Sequence, residues 1–447
     1  MRRILLFSLL ALLAAACCTQ KKPAEKAAHP EWSYNSVVYE LNVRQATPEG
    51  SFAAAAERLP QLKELGADIV WCMPIYPIGK EGRKGTLGSY YAISDYCAVN
   101  PEFGTMEDFD AFLKRAHDLG LKVILDWVAN HTSPDSKWAL EHRDWHLRDS
   151  LGRTVVQYDW TDIAKLNYGN RDMRAAMTDA MRFWLKRGVD GFRCDVAGEI
   201  PIDYWREAFA ELKGEFPDIY LLAEGENPEL HVDAFDASYA WELHHILNDV
   251  AQGKKGAAEL KEYVERDAGA TPREAFRLMF TSNHDENSWN GTEFERMGDA
   301  VRAMAVLTFT LPNGQPLIYT GQEFGYDHRF EFFEKDPMPV QEANEYTSFY
   351  RDLCALRHDN PALAAGERGG RAVWLEEVPE GVIAFTRETE GNRVECVVNL
   401  SADTVAVKGL ADAGAGDKNR LMTDNVVFGP VKGSIQLGPW GYYVYAE

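Results

Sequence analysis

From Val37 to Tyr319 the chain alternates short apolar runs with amphipathic segments, and this alternation limits the fold more than any other feature. Val37-Val38-Tyr39-Glu40-Leu41, Ile69-Val70-Trp71-Cys72-Met73, Val123-Ile124-Leu125, Tyr220-Leu221-Leu222, Leu278-Met279-Phe280 and Leu317-Ile318-Tyr319 read as buried parallel strands. Between them lie helical patterns. In one, Phe109, Phe112, Leu113 and Ala116 recur at helical spacing, Thr105 stands as N-cap and Gly120 follows the end. Others cover Ala53 to Leu65, Arg171 to Lys186 and Arg302 to Thr310. That strand–helix alternation over roughly 300 residues, with these six strands and room for two weaker ones, predicts an α/β fold of the (β/α)8 TIM-barrel type. A doubly wound open sheet is the alternative, but no Gly-rich phosphate loop follows the first strand.

Two stretches break the alternation. His131 to Asn167 has no helical period and is dense in Trp, His and Asp, which predicts a short inserted loop domain, 131–168, after the third strand. Beyond Asn360 the pattern becomes short β-branched runs separated by Gly-rich turns, among them Val382-Ile383-Ala384-Phe385, Val394-Glu395-Cys396-Val397-Val398 and Tyr442-Tyr443-Val444-Tyr445. These predict a C-terminal antiparallel β domain, a sandwich over 363–447, behind a barrel over 35–362.

The N-terminus is of another kind. Met1-Arg2-Arg3 and the apolar run Ile4 to Ala16 form a secretory signal over 1–16, too short for a membrane span. Cys17-Cys18, directly after small residues, resembles a bacterial lipoprotein processing site, with Cys17 or Cys18 as lipid acceptor and a polar tether over 17–34. The expected location is the cell envelope, with the membrane reached only through that lipid. The remaining cysteines, Cys72, Cys97, Cys194, Cys354 and Cys396, are odd in number and contain no CxxC pair, which argues against a zinc site and a disulfide framework. A formal charge of -22 argues against a nucleic-acid partner.

Barrel enzymes carry their chemistry just past the C-terminal ends of the strands. There stand Asp126-Trp127-Val128-Ala129-Asn130-His131 after the third strand, Gly191-Phe192-Arg193-Cys194-Asp195 at the fourth, Ala223-Glu224 at the fifth and Asn283-His284-Asp285 at the seventh. Asp195, Glu224 and Asp285 would then share one rim, with Arg193, His131 and His284 beside them. Carboxylates converging in a cleft are what glycoside hydrolysis requires. Singly, each reads as readily as a cap, a turn residue or a structural salt bridge, and Trp127, Trp138, Trp145, Trp160 and Trp289 as core.

Together, the four segments resemble the α-amylase family of retaining glycoside hydrolases. Gly88-Ser89-Tyr90-Tyr91 through Asn100-Pro101-Glu102-Phe103-Gly104-Thr105, and Gly314-Gln315-Pro316-Leu317-Ile318-Tyr319-Thr320-Gly321, match as well. The resemblance implies Asp195 as nucleophile, Glu224 as general acid/base and Asp285 as the third carboxylate. It also implies sugar contacts from Tyr91, His131, Arg193 and His284, and Asn130 as a possible structural calcium ligand. The chemistry needs no cofactor. Gly198 and Glu199 stand where typical α-amylases have Lys and His, and Asp195-Val196-Ala197-Gly198-Glu199 looks more like the neopullulanase and cyclomaltodextrinase branch. The implied activity is endo-type hydrolysis of α-1,4 bonds in starch or maltooligosaccharides. Alternatives are a neopullulanase-type hydrolase, an α-glucan transglycosylase, or a glycan-binding lipoprotein on an inactive barrel.

Overall fold

Eight parallel strands close into a barrel: β1 (Val38–Leu41), β2 (Ile69–Cys72), β3 (Lys122–Trp127), β4 (Gly191–Cys194), β5 (Tyr220–Ala223), β6 (Ala237–Tyr239), β7 (Phe276–Met279) and β8 (Gly314–Tyr319). The structure is a computed structural model and describes residues 29–410, 420–431 and 433–447. Closure comes from β1, whose Val38 pairs with Ile69 of β2 on one side and with Leu317 of β8 on the other. The signal, Cys17 and Cys18 lie outside the described residues. Among the described residues, no helix is long and apolar enough to cross a membrane.

Alternation along each strand sorts the core into two layers. Val38, Ile69, Trp71, Ile124, Leu222, Tyr239, Phe276 and Leu278 pack together inside the barrel. Their neighbours Val37, Tyr39, Val70, Val123, Leu125, Phe192 and Leu221 pack outward against the helices. Those helices include α1 (Phe52–Leu65), α2 (Met106–Asp118), α3 (Arg171–Arg187), α4 (Ile202–Glu215), α5 (Trp241–Ala251), α6 (Ala257–Ala270), α7 (Val301–Thr310) and α8 (Glu345–Asp359). Thr105 caps α2 reciprocally with Asp108, which satisfies amides that the first helical turn leaves free.

The inserted segment has more order than a loop. A two-residue ladder, His131–Thr132 against Ala164–Lys165, closes its base, and a five-residue helix, Lys137–Glu141, lies within it. The end of the expected tether also differs. His29 is buried, its Nδ1 2.8 Å from Asp236 Oδ1, and the Tyr34 hydroxyl donates to Glu367 Oε1 at 2.7 Å, so the chain is already packed at His29–Tyr34.

At the C-terminus stand β9 (Val373–Trp374), β10 (Val382–Thr389), β11 (Asn392–Asn399), β12 (Val405–Lys408), β13 (Arg420–Val431) and β14 (Ser434–Ala446). They form one antiparallel hydrogen-bonded network rather than two separate sheets. The link is the 13-residue β14, which pairs with β11 near its end, β12 near its start and β13 along both. Ile383, Phe385, Cys396, Val398, Tyr442 and Val444 face the barrel core, while Val382, Ala384, Val397, Val407 and Tyr443 build a second core on the other face. Buried Arg387 fastens the two units, donating to the carbonyls of Thr310, Leu311, Ala364 and Gly370.

Candidate active site

The same alternation delivers polar side chains to the barrel mouth. Glu40 is in step with Val38, Asp126 with Ile124, and Glu224 with Leu222, so all three point inward. Gly191 lets β4 approach β5 closely: a Cβ there would stand 1.9 Å from the Tyr220 carbonyl oxygen. Two residues on, Arg193 is fully buried at the centre of the mouth.

Arg193 joins three carboxylates. Its Nη1 donates to Asp126 Oδ1 at 2.8 Å and to Asp195 Oδ1 at 3.2 Å, and its Nη2 is ion-paired with Glu224 Oε2 at 2.9 Å. Nε donates to the Tyr239 hydroxyl at 3.0 Å, and the guanidinium lies 5.0 Å from the Trp71 ring centroid. Asp126 Oδ2 also accepts from the Tyr91 hydroxyl at 3.0 Å and from Trp71 Nε1 at 3.2 Å. Val196 has φ 38°, a left-handed conformation that is costly for a β-branched residue, and its amide donates to Glu224 Oε2 at 2.8 Å.

A second cation stands on the opposite side. His284 Nδ1 is hydrogen-bonded to the carboxylate of buried Glu40, and its Nε2 is 2.7 Å from the Tyr91 hydroxyl and 3.4 Å from Asp285 Oδ2. The Tyr91 proton goes to Asp126, so both ring nitrogens of His284 face acceptors. Burial alone would lower this imidazole, but Asp285 and Glu40 reverse the effect and raise it to about 9.

Five carboxylates, Glu40, Asp126, Asp195, Glu224 and Asp285, thus surround two cations. Burial, and next the charge of Glu224, push Asp195 well above the usual carboxylate range, with Arg193 opposing. Burial likewise raises Asp126, Asp285 and Glu40. Arg193 and His284 oppose that rise only in part.

His131 is different: burial lowers it to about 3, so it is neutral. The Asn130 amide faces its Nδ1 at 3.1 Å, which puts the ring proton on Nε2, a buried atom with no partner in the protein. Asp195, Glu224, Asp285, Tyr91, His131 and His284 all line one cleft of about 510 Å³. Arg193 stands behind it. Of the tryptophans, Trp160 and Trp289 line the cleft, while Trp127 and Trp145 are core. Sequence reading passed over Glu40, Tyr239, Lys84 and Asp162, and gave no separate role to Asp126. The parity of a lone charge within an apolar strand was the available signal for Glu40.

Calcium takes about six to eight oxygen ligands, and the Asn130 side chain offers one, its Oδ1. Its amide nitrogen donates to Gln157 Oε1 at 2.8 Å and faces the His131 ring, and no cluster of three or more His, Cys, Asp or Glu able to hold a metal occurs among the described residues. Glu199, where typical α-amylases have His, accepts from the Tyr158 hydroxyl at 2.9 Å.

Comparison with known proteins bears on this mouth. The family model described as the α-amylase catalytic domain matches residues 42–151 and 141–352, and the maltogenic amylase C-terminal domain matches residues 373–444. The α-amylase MalA of Haloarcula japonica is 32% identical over 396 residues, covering 85% of this chain but 57% of that protein, so the chain spans little more than half the length of that relative. Neopullulanase 2 of Thermoactinomyces vulgaris is 26% identical, with 83% of this chain and 70% of that protein covered. The crystal structure of an α-amylase from Lactobacillus plantarum superposes with a TM-score of 0.81 at 31% identity, covering 93% of this chain and 99% of that one. That of the maltogenic α-amylase AmyB from Thermotoga neapolitana gives 0.78 at 29% identity, covering 92% and 96%. With the catalytic-domain model matched over more than half of its length, on a closed barrel of the same architecture, this chain belongs to the α-amylase family.

Proposed function

We propose that the protein is a retaining glycoside hydrolase that cleaves α-1,4-glucosidic bonds in starch or maltooligosaccharides. The observation that carries this is the pair of carboxylates, Asp195 and Glu224, held on the two terminal nitrogens of one buried guanidinium in the cleft wall. One guanidinium spans only a short distance, and closely spaced carboxyl groups suit nucleophile and acid/base roles in double displacement.

Asp195 Oδ attacks the anomeric carbon while Glu224 gives its proton to the departing glycosidic oxygen, which leaves a covalent glycosyl–enzyme ester. Glu224, now the base, takes a proton from water as the water oxygen displaces Asp195. Arg193 compensates the charge lost and regained at both carboxylates. Asp285 accepts from hydroxyls of the reacting ring, and Tyr91 stacks on that ring. His131, neutral with Nε2 protonated, donates to a ring hydroxyl. A transferase reading shares every step but the last acceptor. It draws support from an α-1,4-glucan:maltose-1-phosphate maltosyltransferase of Salinibacter ruber, 28% identical over 415 residues. The signal and Cys17-Cys18 support a lipid-anchored location at the cell envelope.

Product release from amylopectin, maltoheptaose, cyclodextrin and pullulan tests this, with Asp195→Asn alongside. We expect α-anomeric products from the native protein and a loss of roughly 10⁴-fold in the variant. A β-anomeric first product would refute the retaining mechanism. Longer saccharides appearing at high maltoheptaose concentration would favour transfer over hydrolysis.

A further inference from the structure

We infer that the cleft ends at a bridge between Lys84 and Asp162, and that this bridge holds the terminal glucose of an α-glucan, so the enzyme trims chains from their non-reducing ends. The inference rests on the hydrolase reading and replaces the endo action that the family resemblance implies.

Direction follows from the ring of strands. β1 lies between β2 and β8, and β5, which carries Glu224, lies across the barrel from it. The leaving group departs beside Glu224, so the glycone extends the other way, toward the loops after β2 and β8.

On that side the way out is crossed. The loop after β2 is fixed at one end to the inserted segment, where Asp135 Oδ2 accepts from the amides of Lys80 and Glu81 at 2.8 and 3.2 Å. At its other end it is fixed to the loop after β8: the Thr86 amide donates to Glu334 Oε1 at 2.8 Å and the Leu87 amide to the Phe333 carbonyl at 3.1 Å. Gly85, at φ +61°, allows this approach, since a Cβ there would stand 2.6 Å from Phe333 Cβ and from Glu334 Oε1. Lys84 sits mid-span. Its Nζ is 3.4 Å from Asp162 Oδ1 and 6.0 Å from the Phe333 ring centroid.

Asp162 supplies the second observation. It is buried and lines the cleft, and its Oδ2 has no hydrogen-bond partner in the protein. A buried acceptor left unpaired is costly, so the site awaits a donor. Lys84, already paired with Asp162, leaves no free cation there for an anion. A sugar hydroxyl fits. The 4-hydroxyl is free only on the last ring of a non-reducing end, and it distinguishes a chain end from a chain interior.

The test uses 4-nitrophenyl maltoheptaoside with its non-reducing end free or capped as the 4,6-benzylidene acetal, and compares the native protein with Lys84→Ala and Asp162→Asn. We expect one dominant short product from the free substrate and cleavage of the capped one that is slower by roughly tenfold or more, the worth of one good hydrogen bond. Lys84→Ala should slow the free substrate, bring the two rates together and broaden the products. A merely structural role would lower both rates in proportion. If Asp162→Asn does not fold, Lys84→Met carries the comparison, its parent side chain being 31% exposed. Equal rates and mixed products from the native protein would overturn the end wall and leave the hydrolase reading intact. No cleavage of either substrate by folded native protein would overturn both.

Discussion

Glu40 shows what one side chain contributes without touching substrate. Its carboxylate sits on His284 Nδ1, both groups are buried, and His284 Nε2 faces Tyr91. The imidazole titrates near 6.5 when unfolded and is raised to about 9 here, burial opposing and Asp285 and Glu40 prevailing. A base raised by folding contributes stability that is fully present below pH 6.5 and lost as pH rises through about 9. Glu40→Gln keeps the shape and removes one of the two charges. The alkaline limb of kcat/KM should therefore move down from about 9 by roughly one unit or more, while the acid limb moves less. A limb that stays in place would show that Glu40 does not set the protonation of His284. At this scale the sequence was legible for residues in recognisable motifs: Asp195, Glu224, Asp285, His131, His284, Tyr91 and Arg193 do converge. It was opaque for Asp162 and Lys84, because what brings them to the mouth is contact between loops far apart in sequence, whereas Glu40, inside β1, offers only the parity of a lone charge.

Among the elements, two glycines separate backbone necessity from helix propensity. Gly191 lies against β5, and its Cβ would fall 1.9 Å from a backbone oxygen that cannot yield. Gly191→Ala should fail to give soluble folded protein, because the β4–β5 pairing carries Arg193 and leads to Asp195. Gly214, in α4, has nothing within 4 Å of the same added atom. Gly214→Ala should stabilise by a few tenths to about 1 kcal/mol, reduced by its place in the last turn. Thermal unfolding separates the two, and a destabilised Gly214→Ala would show that the helix end needs glycine. Element detection follows the same logic of local signal. Strands with three or more consecutive apolar residues could be read from the sequence. β4 is short and interrupted by Arg193, and β6 has three residues with Ser238 in the middle, so both take their strand character from neighbours already in place. The ladder at the base of the insertion is two residues long and has no sequence period at all.

For the molecule as a whole, acid sensitivity turns on histidines that folding keeps neutral. Burial lowers His131 to about 3 and His146 and His231 to about 4. Each has a folded value below 6.5, so the unfolded chain takes up the proton first, and stability is lost as pH falls from 6.5 toward 4. The slope reaches about 1.4 kcal/mol per pH unit for each such group. The raised carboxylates at the mouth act in the opposite sense, since they protonate in the folded state first. A net profile of the native protein therefore mixes the two, and a difference between proteins isolates the histidines. His146 Nε2 is held by Thr132 Oγ1 in the insertion, and His231 Nε2 by Ser238 Oγ beside the barrel. Gln at either position retains a polar contact and removes the titration. His146→Gln or His231→Gln should be less stable than the native protein at pH 7 but lose less on acidification. The gap should then shrink by up to about 2 kcal/mol between pH 6.5 and 5, as measured by urea unfolding midpoints. A gap that stays constant would mean that these rings take up protons alike in the folded and the unfolded protein.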